Sequence, residues 1–199
     1  TLCGAGSMAT MAFNRIKTHN KANEIDIITL AEPAGGVASQ GGLKTTGTAT
    51  ENKTFNFYVG DDEFDVSATI LTGETASQIA IKIQDAINAK DYPFTASIDG
   101  VDDTLVLIDF DIKGEVSNGI VVIVDTRVLG LEFTAVEFTG GAGAYDADDI
   151  FDGITKRYQT VLFDSATPFD DVEEWLEARF NMTNTVKGGV GISMLNGDY

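Results

Sequence analysis

Two runs of alternating apolar and polar residues flank the turn Gly60-Asp61-Asp62. The apolar positions are Phe55, Phe57 and Val59 before the turn and Phe64, Val66, Ala68 and Ile70 after it. A period of two is typical of a strand that buries one face and leaves the other in water. Two such runs around a Gly-Asp turn predict a β-hairpin.

The pattern then changes to a helical spacing. Thr75 and Gln78 match a capping box, in which the two side chains satisfy N–H groups at the start of a helix. The apolar positions that follow are spaced three and four apart: Ile79, Ile83, Ala86 and Ile87. This spacing predicts one helix after the hairpin. Asp91-Tyr92-Pro93 ends the helical pattern.

Further strands are predicted downstream of this helix. They cover residues 94–98, 104–110, 120–125 and 131–138. The glycine-containing segment 114–119 separates two of them. Residues 44–139 are therefore predicted to be rich in β-strands and to contain one helix.

The segments on either side of this β-rich middle have an α/β pattern. Ser7 is a candidate N-cap for a helix, and residues 24–30 form a β-branched apolar run typical of a strand covered on both faces. Beyond the middle, a helix is predicted over 146–157 and a strand over 158–163. A second helix is predicted to begin at Thr167-Pro168, with Trp175 on its apolar face, and a final strand is predicted over 188–195.

Glycine marks both changes of pattern. Residues 31–43 are expected to form no regular element, and Gly140-Gly141-Ala142-Gly143 forms the second break. The simplest organisation is a discontinuous α/β domain of residues 1–42 and 140–199, interrupted by a β-rich insertion of residues 43–139. The predicted fold class is mixed α/β or α+β, and the inserted domain is predicted to be barrel-like or sandwich-like.

Charge and hydropathy then narrow the possible functions. The 199 residues include 13 Lys and Arg against 31 Asp and Glu, which gives a formal net charge of −18. This charge argues against nucleic-acid binding, which needs cations to neutralise phosphates. No apolar run approaches the ~20 residues of a membrane span, so no membrane contact is predicted.

The chain begins at Thr1 with no charged leader, so we expect a processed piece or fragment.

Candidate catalytic residues are scarce. His19 is the only histidine, Cys3 is the only cysteine, and no Gly-x-Ser-x-Gly motif is present. A surface histidine and a packed cysteine are the simpler interpretations of these two residues. We therefore predict no catalytic residues and no enzymatic activity.

Two glycine-rich segments have part of the spacing of phosphate-binding loops. Gly36 and Gly41 are separated as in a Walker A motif, but Gly42 stands where that motif needs Lys. Residues 141–146 have two glycines of a dinucleotide fingerprint, but Asp146 takes the place of the third. Because a carboxylate there would repel a pyrophosphate, we predict no cofactor.

Two acidic segments leave calcium binding open. They are residues 61–65 and 146–149, and neither has the Gly and Glu positions of an EF-hand loop. Solvated acidic surface is the simpler interpretation, so no metal ligand is assigned.

The order of several short motifs resembles the tail sheath proteins of contractile-tailed, Mu-like bacteriophages. Lys113-Gly114-Glu115-Val116-Ser117-Asn118 is similar to a Lys-Gly-x-x-Gly-Asn turn of that family, with Ser117 in place of its second glycine. The other matching segments, which bring the resemblance to nearly the whole chain, are residues 4–12, 23–30, 33–41, 47–50, 58–60 and 139–142.

This resemblance implies a structural function. Sheath subunits polymerise around a tail tube and contract to drive the tube through the host cell envelope, so the implied partners are other copies of the subunit, the tube and the baseplate. The implied location is the virion tail, with assembly in the host cytoplasm, and the inserted domain is implied to face outward. The N-terminal arm and C-terminal domain of the family have no counterpart in these residues, so we expect the chain by itself to be monomeric.

A different class of function stays open beside this one. A ligand-binding or carbohydrate-binding β module of a surface protein would have a similar β-rich middle. Its candidate sugar-stacking residues are Phe55, Phe57, Tyr58 and Tyr92, although at a period of two most of these would be core residues.

Overall fold

The computed structural model describes residues 13, 14, 16–18, 31–60, 64–144, 151, 154, 160–163, 170, 173–175 and 191–194. Its strands are β1 (Ala38–Gly47), β2 (Lys53–Val59), β3 (Asp65–Ile70), β4 (Phe94–Ile98), β5 (Leu105–Lys113), β6 (Val122–Val124), β7 (Leu131–Thr139), β8 (Thr160–Phe163) and β9 (Gly191–Met194). Helix α1 covers Ala76–Asn88, and a single 3-10 turn covers Glu115–Ser117. Within the described residues, no helix is both long and apolar enough to span a bilayer.

The larger sheet contains four antiparallel strands in the order β4-β5-β1-β7. Its central pair, β1 and β5, places Leu43 opposite Val106, and both side chains are fully buried. The alternate residues of β5, such as Leu107, are only half-buried. This sheet therefore packs one face on the core and presents the other to solvent.

The smaller sheet contains the predicted hairpin. Strands β2 and β3 pair antiparallel with Phe55 opposite Ala68 and Phe57 opposite Val66, and β6 pairs with the other edge of β2. The alternating apolar residues all lie on the buried face. The hairpin prediction is confirmed, although residues 61–63 of its turn lie outside the described residues.

Helix α1 has the predicted cap. The Thr75 hydroxyl accepts from the Gln78 N–H, and the Gln78 side-chain oxygen accepts from the Thr75 N–H at 3.0 Å. The buried stripe Ile79, Ile83 and Ile87 faces the core. The capping box therefore starts the helix, and burial of this stripe holds it against the sheets.

The two sheets and α1 enclose one core. Helix α1 packs against β3 of the smaller sheet and against β4, β5 and β1 of the larger sheet, so it closes one side of the structure. The chain between the 3-10 turn and β6 closes the other side. There the Phe138 N–H donates to the Ile120 carbonyl at 2.9 Å, and the Gly60 N–H donates to the Val121 carbonyl at 3.0 Å. This segment therefore links β7 of the larger sheet to the end of β2 in the smaller sheet.

One strand was not expected from the sequence. The expectation that residues 31–43 form no regular element is wrong from Ala38 onward, because β1 begins there. Gly41 lies inside β1 and faces the ring of Phe138, where an added Cβ would lie 2.5 Å from the ring Cδ2. Here glycine permits a close approach between strands instead of ending one.

The other strands of this region lie close to their predictions. The predicted strand over 94–98 matches β4, whereas the one over 104–110 extends to Lys113 and the one over 120–125 shortens to Val122–Val124. Strand β7 extends one residue beyond the predicted 131–138. The largest difference is at the end of β5, which continues to Lys113 instead of ending at 110.

The flanking segments are described in part. Residues 13, 14 and 16–18 are helical, as predicted from Ser7 onward, while the predicted strand over 24–30 lies outside the described residues. Strands β8 and β9 pair in parallel, within the predicted strands. Residue 151 is helical and residue 154 is not, so the helix predicted over 146–157 does not continue through Ile154. Trp175 is buried and stacks on Phe151, with ring centroids 5.2 Å apart.

The fold class is mixed α+β, as predicted: two antiparallel sheets with a few helices. The division into residues 1–42 with 140–199 and residues 43–139 remains a prediction. Strand β1 begins at Ala38, so it lies on both sides of the first proposed boundary.

Candidate functional site at the chain crossing

The chain enters and leaves the β-rich region side by side. Val37 and Ala142 form an antiparallel bridge, in which the Val37 N–H donates to the Ala142 carbonyl at 2.8 Å and the Ala142 N–H donates to the Val37 carbonyl at 3.0 Å. The Gly114 N–H also donates to the Val37 carbonyl at 3.0 Å. Three chain segments therefore meet at one place, which we call the crossing: residues 33–41, 113–119 and 138–143.

Glycine permits this close approach. An added Cβ on Gly36 would lie 3.1 Å from the Ala142 carbonyl oxygen and 3.0 Å from Pro33. An added Cβ on Gly143 would lie 3.0 Å from the Gly36 Cα, and Gly143 also has a φ of 114°. These glycines are packed against neighbouring backbone, so they do not line an open phosphate cradle.

The Asn118 side chain joins two of the segments. Its Nδ2 donates to the Gly141 carbonyl at 2.9 Å, and its Oδ1 accepts from the Gly141 N–H at 2.9 Å. The carboxamide thus makes both hydrogen bonds that a neighbouring strand would make with this residue. We call this pair of hydrogen bonds the Asn118 clamp.

A second polar contact is buried beside the clamp. The hydroxyls of Ser39 and Ser117 lie 2.6 Å apart, and both residues are at most 2 % exposed. Each hydroxyl thereby gains a partner, which removes the cost of burying it alone. Ser117 stands where the similar turn of the tail sheath family has glycine. Its buried hydroxyl is accommodated there because it pairs with the Ser39 hydroxyl.

Several charged side chains of the described residues form exposed ion pairs. At the crossing, Lys113 lies 3.9 Å from Glu32, and both are about half exposed. At the opposite end of β1, the Lys44 ammonium lies 2.7 Å from the Asp102 carboxylate. Hydrogen bonds from Lys44 and then from Thr104 lower the pKa of Asp102 to about 2. Such exposed pairs add little to stability, so the crossing depends mainly on its main-chain and amide hydrogen bonds.

Among the described residues, the candidate sugar-stacking rings of Phe55 and Phe57 lie together, but they stack in the core, with centroids 5.3 Å apart. Phe55 and Phe57 are 0 % and 1 % exposed, so neither can stack on a sugar, while Tyr58 and Tyr92 are half-buried. His19, Cys3 and the acidic residues 61–63 and 146–149 lie outside the described residues. Among the residues that are described, no three His, Cys, Asp or Glu side chains are grouped to hold a metal ion.

Asp65, the described member of the first acidic segment, belongs to a surface contact. The Tyr92 hydroxyl donates to the Asp65 carbonyl at 2.8 Å and lies 3.3 Å from its carboxylate. Burial and the neighbouring Asp65 charge raise the pKa of Tyr92 to about 12. A phenol with a raised pKa holds its proton at neutral pH, so this pair is not arranged as a general base.

Comparison with known proteins gives one informative similarity. No protein family model matches the chain. The chain is 28 % identical over 183 residues to the Mu-like prophage FluMu tail sheath protein of Haemophilus influenzae. The aligned region covers 87 % of this chain and 35 % of that protein, so the chain spans about a third of the length of the relative.

This similarity agrees with the family that the sequence motifs resemble, and it supports a structural role in a phage tail. The relative's name describes a sheath component and no enzyme. Pattern reasoning did not identify the Asn118 clamp or the Ser39–Ser117 contact. The available signals were the Asn of the turn at 113–118 and the glycines at 140–143, but their pairing depends on the fold.

Proposed function

We propose that this chain is part of a structural subunit of a contractile phage tail sheath. The observation that carries the proposal is the similarity to a prophage tail sheath protein over 87 % of the chain. The aligned region includes most of the β-rich region and its flanks. A ligand-binding module shared by unrelated proteins would account for a match to the β-rich region alone.

In this proposal the subunit polymerises with its own copies around the tail tube and contracts after a signal from the baseplate. Contraction drives the tube through the host cell envelope and so allows genome delivery. No nucleotide is used, because the energy is stored when the sheath assembles, and the work comes from interfaces that repack between rigid subunits. The subunit acts as a non-enzymatic component of the virion tail, assembled in the host cytoplasm.

The proposal also assigns places to the two predicted domains. Residues 1–42 and 140–199 would form the sheath-building domain, and residues 43–139 would form an inserted domain on the outside. The crossing supports this division, because the chain passes into and out of the β-rich region through adjacent antiparallel segments. That arrangement lets an insertion fold without disturbing the domain that carries it. The strongly acidic composition would keep an outward-facing domain soluble.

Immunogold electron microscopy tests the proposal directly. Antibodies raised against the 199-residue chain would be applied to tailed particles induced from the bacterium that encodes the sequence. We expect gold particles along the outer surface of the tail, in both its extended and its contracted form. Antibody absorbed with the same chain is the control.

The alternative function predicts a different result. A carbohydrate-binding module of a tail fibre or surface protein would place gold only at the tail tip or on fibres, and the chain would bind to a glycan array. Either finding, or tails that carry no label, would contradict the sheath proposal.

A further inference from the structure

The Asn118 clamp contains a dipeptide with its own chemistry. Asn118 is followed by Gly119, and an Asn-Gly pair can deamidate without a catalyst. The backbone nitrogen of the glycine attacks the Asn Cγ, a nitrogen–carbon bond forms, and the Cγ–Nδ2 bond breaks. The proton from the glycine nitrogen leaves with the departing group as ammonia. Water then opens the cyclic imide to give an aspartyl or isoaspartyl residue.

Hydrogen bonds of the crossing hold every group that this reaction must move. Both polar atoms of the Asn118 carboxamide are bonded to the main chain of Gly141, each at 2.9 Å. The attacking Gly119 nitrogen donates its hydrogen to the Phe138 carbonyl at 2.8 Å. Ring closure therefore requires all three hydrogen bonds to open together.

We propose that Asn118 is a spontaneous modification site whose deamidation is controlled by opening of the crossing. While residues 118, 119, 138 and 141 keep their contacts, the reaction is suppressed. When the crossing opens, the reaction proceeds at the rate of an unfolded chain. Deamidation at Asn118 thus records how often the crossing has been open.

The product cannot rebuild the clamp. An aspartyl carboxylate at this position has no N–H to donate to the Gly141 carbonyl, and it places negative charge beside that oxygen. An isoaspartyl product adds a methylene group to the backbone and moves the side chain out of register. The modification is therefore one-way and leaves the crossing weakened.

The experiment compares deamidation rates at Asn118 in three versions of the 199-residue chain. Gly141→Ala places a Cβ 2.9 Å from Asn118 Oδ1 and closer still to the Gly114 carbonyl, so it disrupts the clamp and keeps the Asn-Gly pair. Gly100→Ala is the matched control, because an added Cβ there has no neighbour within 4 Å. Peptide mapping with mass detection resolves Asn118 from the second Asn-Gly pair, Asn196-Gly197.

In native buffer we expect the wild type and Gly100→Ala to react at the same slow rate. In guanidinium chloride at the same pH, all three chains should react equally fast. Three hydrogen bonds that each contribute a factor of about five predict a native rate about a hundredfold below the denatured rate. The rate of Gly141→Ala in native buffer should rise toward the denatured rate.

Two outcomes would overturn the proposal. The first is a wild-type chain that deamidates at Asn118 as fast in native buffer as in guanidinium chloride. The second is a folded Gly141→Ala chain, shown by circular dichroism, that keeps the slow wild-type rate. Because the first comparison uses only the wild type, it decides the matter even where Gly141→Ala does not fold.

Discussion

The Asn88 side chain makes two hydrogen bonds to the outer edge of β4, and removing it tests how much this contact contributes to stability. Asn88 is the last residue of α1, and its Oδ1 accepts from the Ala96 N–H at 2.8 Å while its Nδ2 donates to the Ala96 carbonyl at 2.9 Å. Strand β4 is an edge strand of the larger sheet. The carboxamide therefore takes the place of a neighbouring strand at the middle of β4.

The expected cost of Asn88→Ala follows from what Ala96 loses. Ala96 is 7 % exposed, so its N–H would be left unpaired and poorly hydrated. Its carbonyl keeps a second donor, the Gln84 Nε2 at 3.4 Å. An unpaired buried donor costs about 1–3 kcal/mol, and the better helix propensity of Ala returns at most about 0.7 kcal/mol. We expect the free energy of unfolding to fall by about 1–2 kcal/mol.

Chemical denaturation followed by far-UV circular dichroism measures this change. Asp85→Ala is the control, because Asp85 is exposed on the same helix and the substitution brings a similar gain in helix propensity. We expect Asp85→Ala to leave the free energy of unfolding unchanged or to raise it by at most about 0.7 kcal/mol.

Hydrogen exchange gives a local readout of the same contact. The Ala96 amide should lose its protection in Asn88→Ala and keep it in Asp85→Ala. Equal stability of the two variants, together with unchanged protection at Ala96, would refute the argument that Asn88 closes this edge.

Two further predictions concern close packing and pH. Gly41→Ala places a Cβ 2.5 Å from the buried Phe138 ring, so it should lower the free energy of unfolding by about 1–3 kcal/mol. In the same denaturation experiment, Gly100→Ala should have no effect, because its added Cβ has no neighbour within 4 Å. Equal unfolding midpoints for the two variants would contradict the packing argument. Because burial and Asp65 raise the pKa of Tyr92 to about 12, its contribution to stability should be complete below about pH 10 and be lost as the pH rises toward 12. An ultraviolet titration should show one late phenolate transition that Tyr92→Phe removes, and its persistence in that variant would assign it to another tyrosine.

Local sequence pattern accounts for most elements of the β-rich region. The hairpin β2–β3 follows from strict alternation, because only one register buries Phe55, Phe57 and Val66 together. The start of α1 follows from the reciprocal cap of Thr75 and Gln78. Both signals lie within a few residues, so the sequence contains all the information that decides them.

Strand β1 shows where local pattern is insufficient. Gly41 and Gly42 weaken any strand considered alone, yet β1 is a central strand of the larger sheet. Its residues gain hydrogen bonds from β5 on one side and β7 on the other, and Gly41 makes room for Phe138. Pairing with strands that lie far away in the sequence outweighs the poor local propensity.

The sequence by itself determined the fold class, the capped helix, the hairpin and the resemblance to tail sheath proteins, because each depends on short-range spacing or on the order of motifs. Only the tertiary structure decided that Gly36 packs against Gly143 and that Asn118 joins Gly141. It also decided that Asn88 closes the edge of β4. The physical reason is that these contacts join different elements of the fold, and the contacts at the crossing also join residues far apart in the chain. Their partners are main-chain groups, which have the same chemistry at nearly every position, so only the packed fold determines which of them meet.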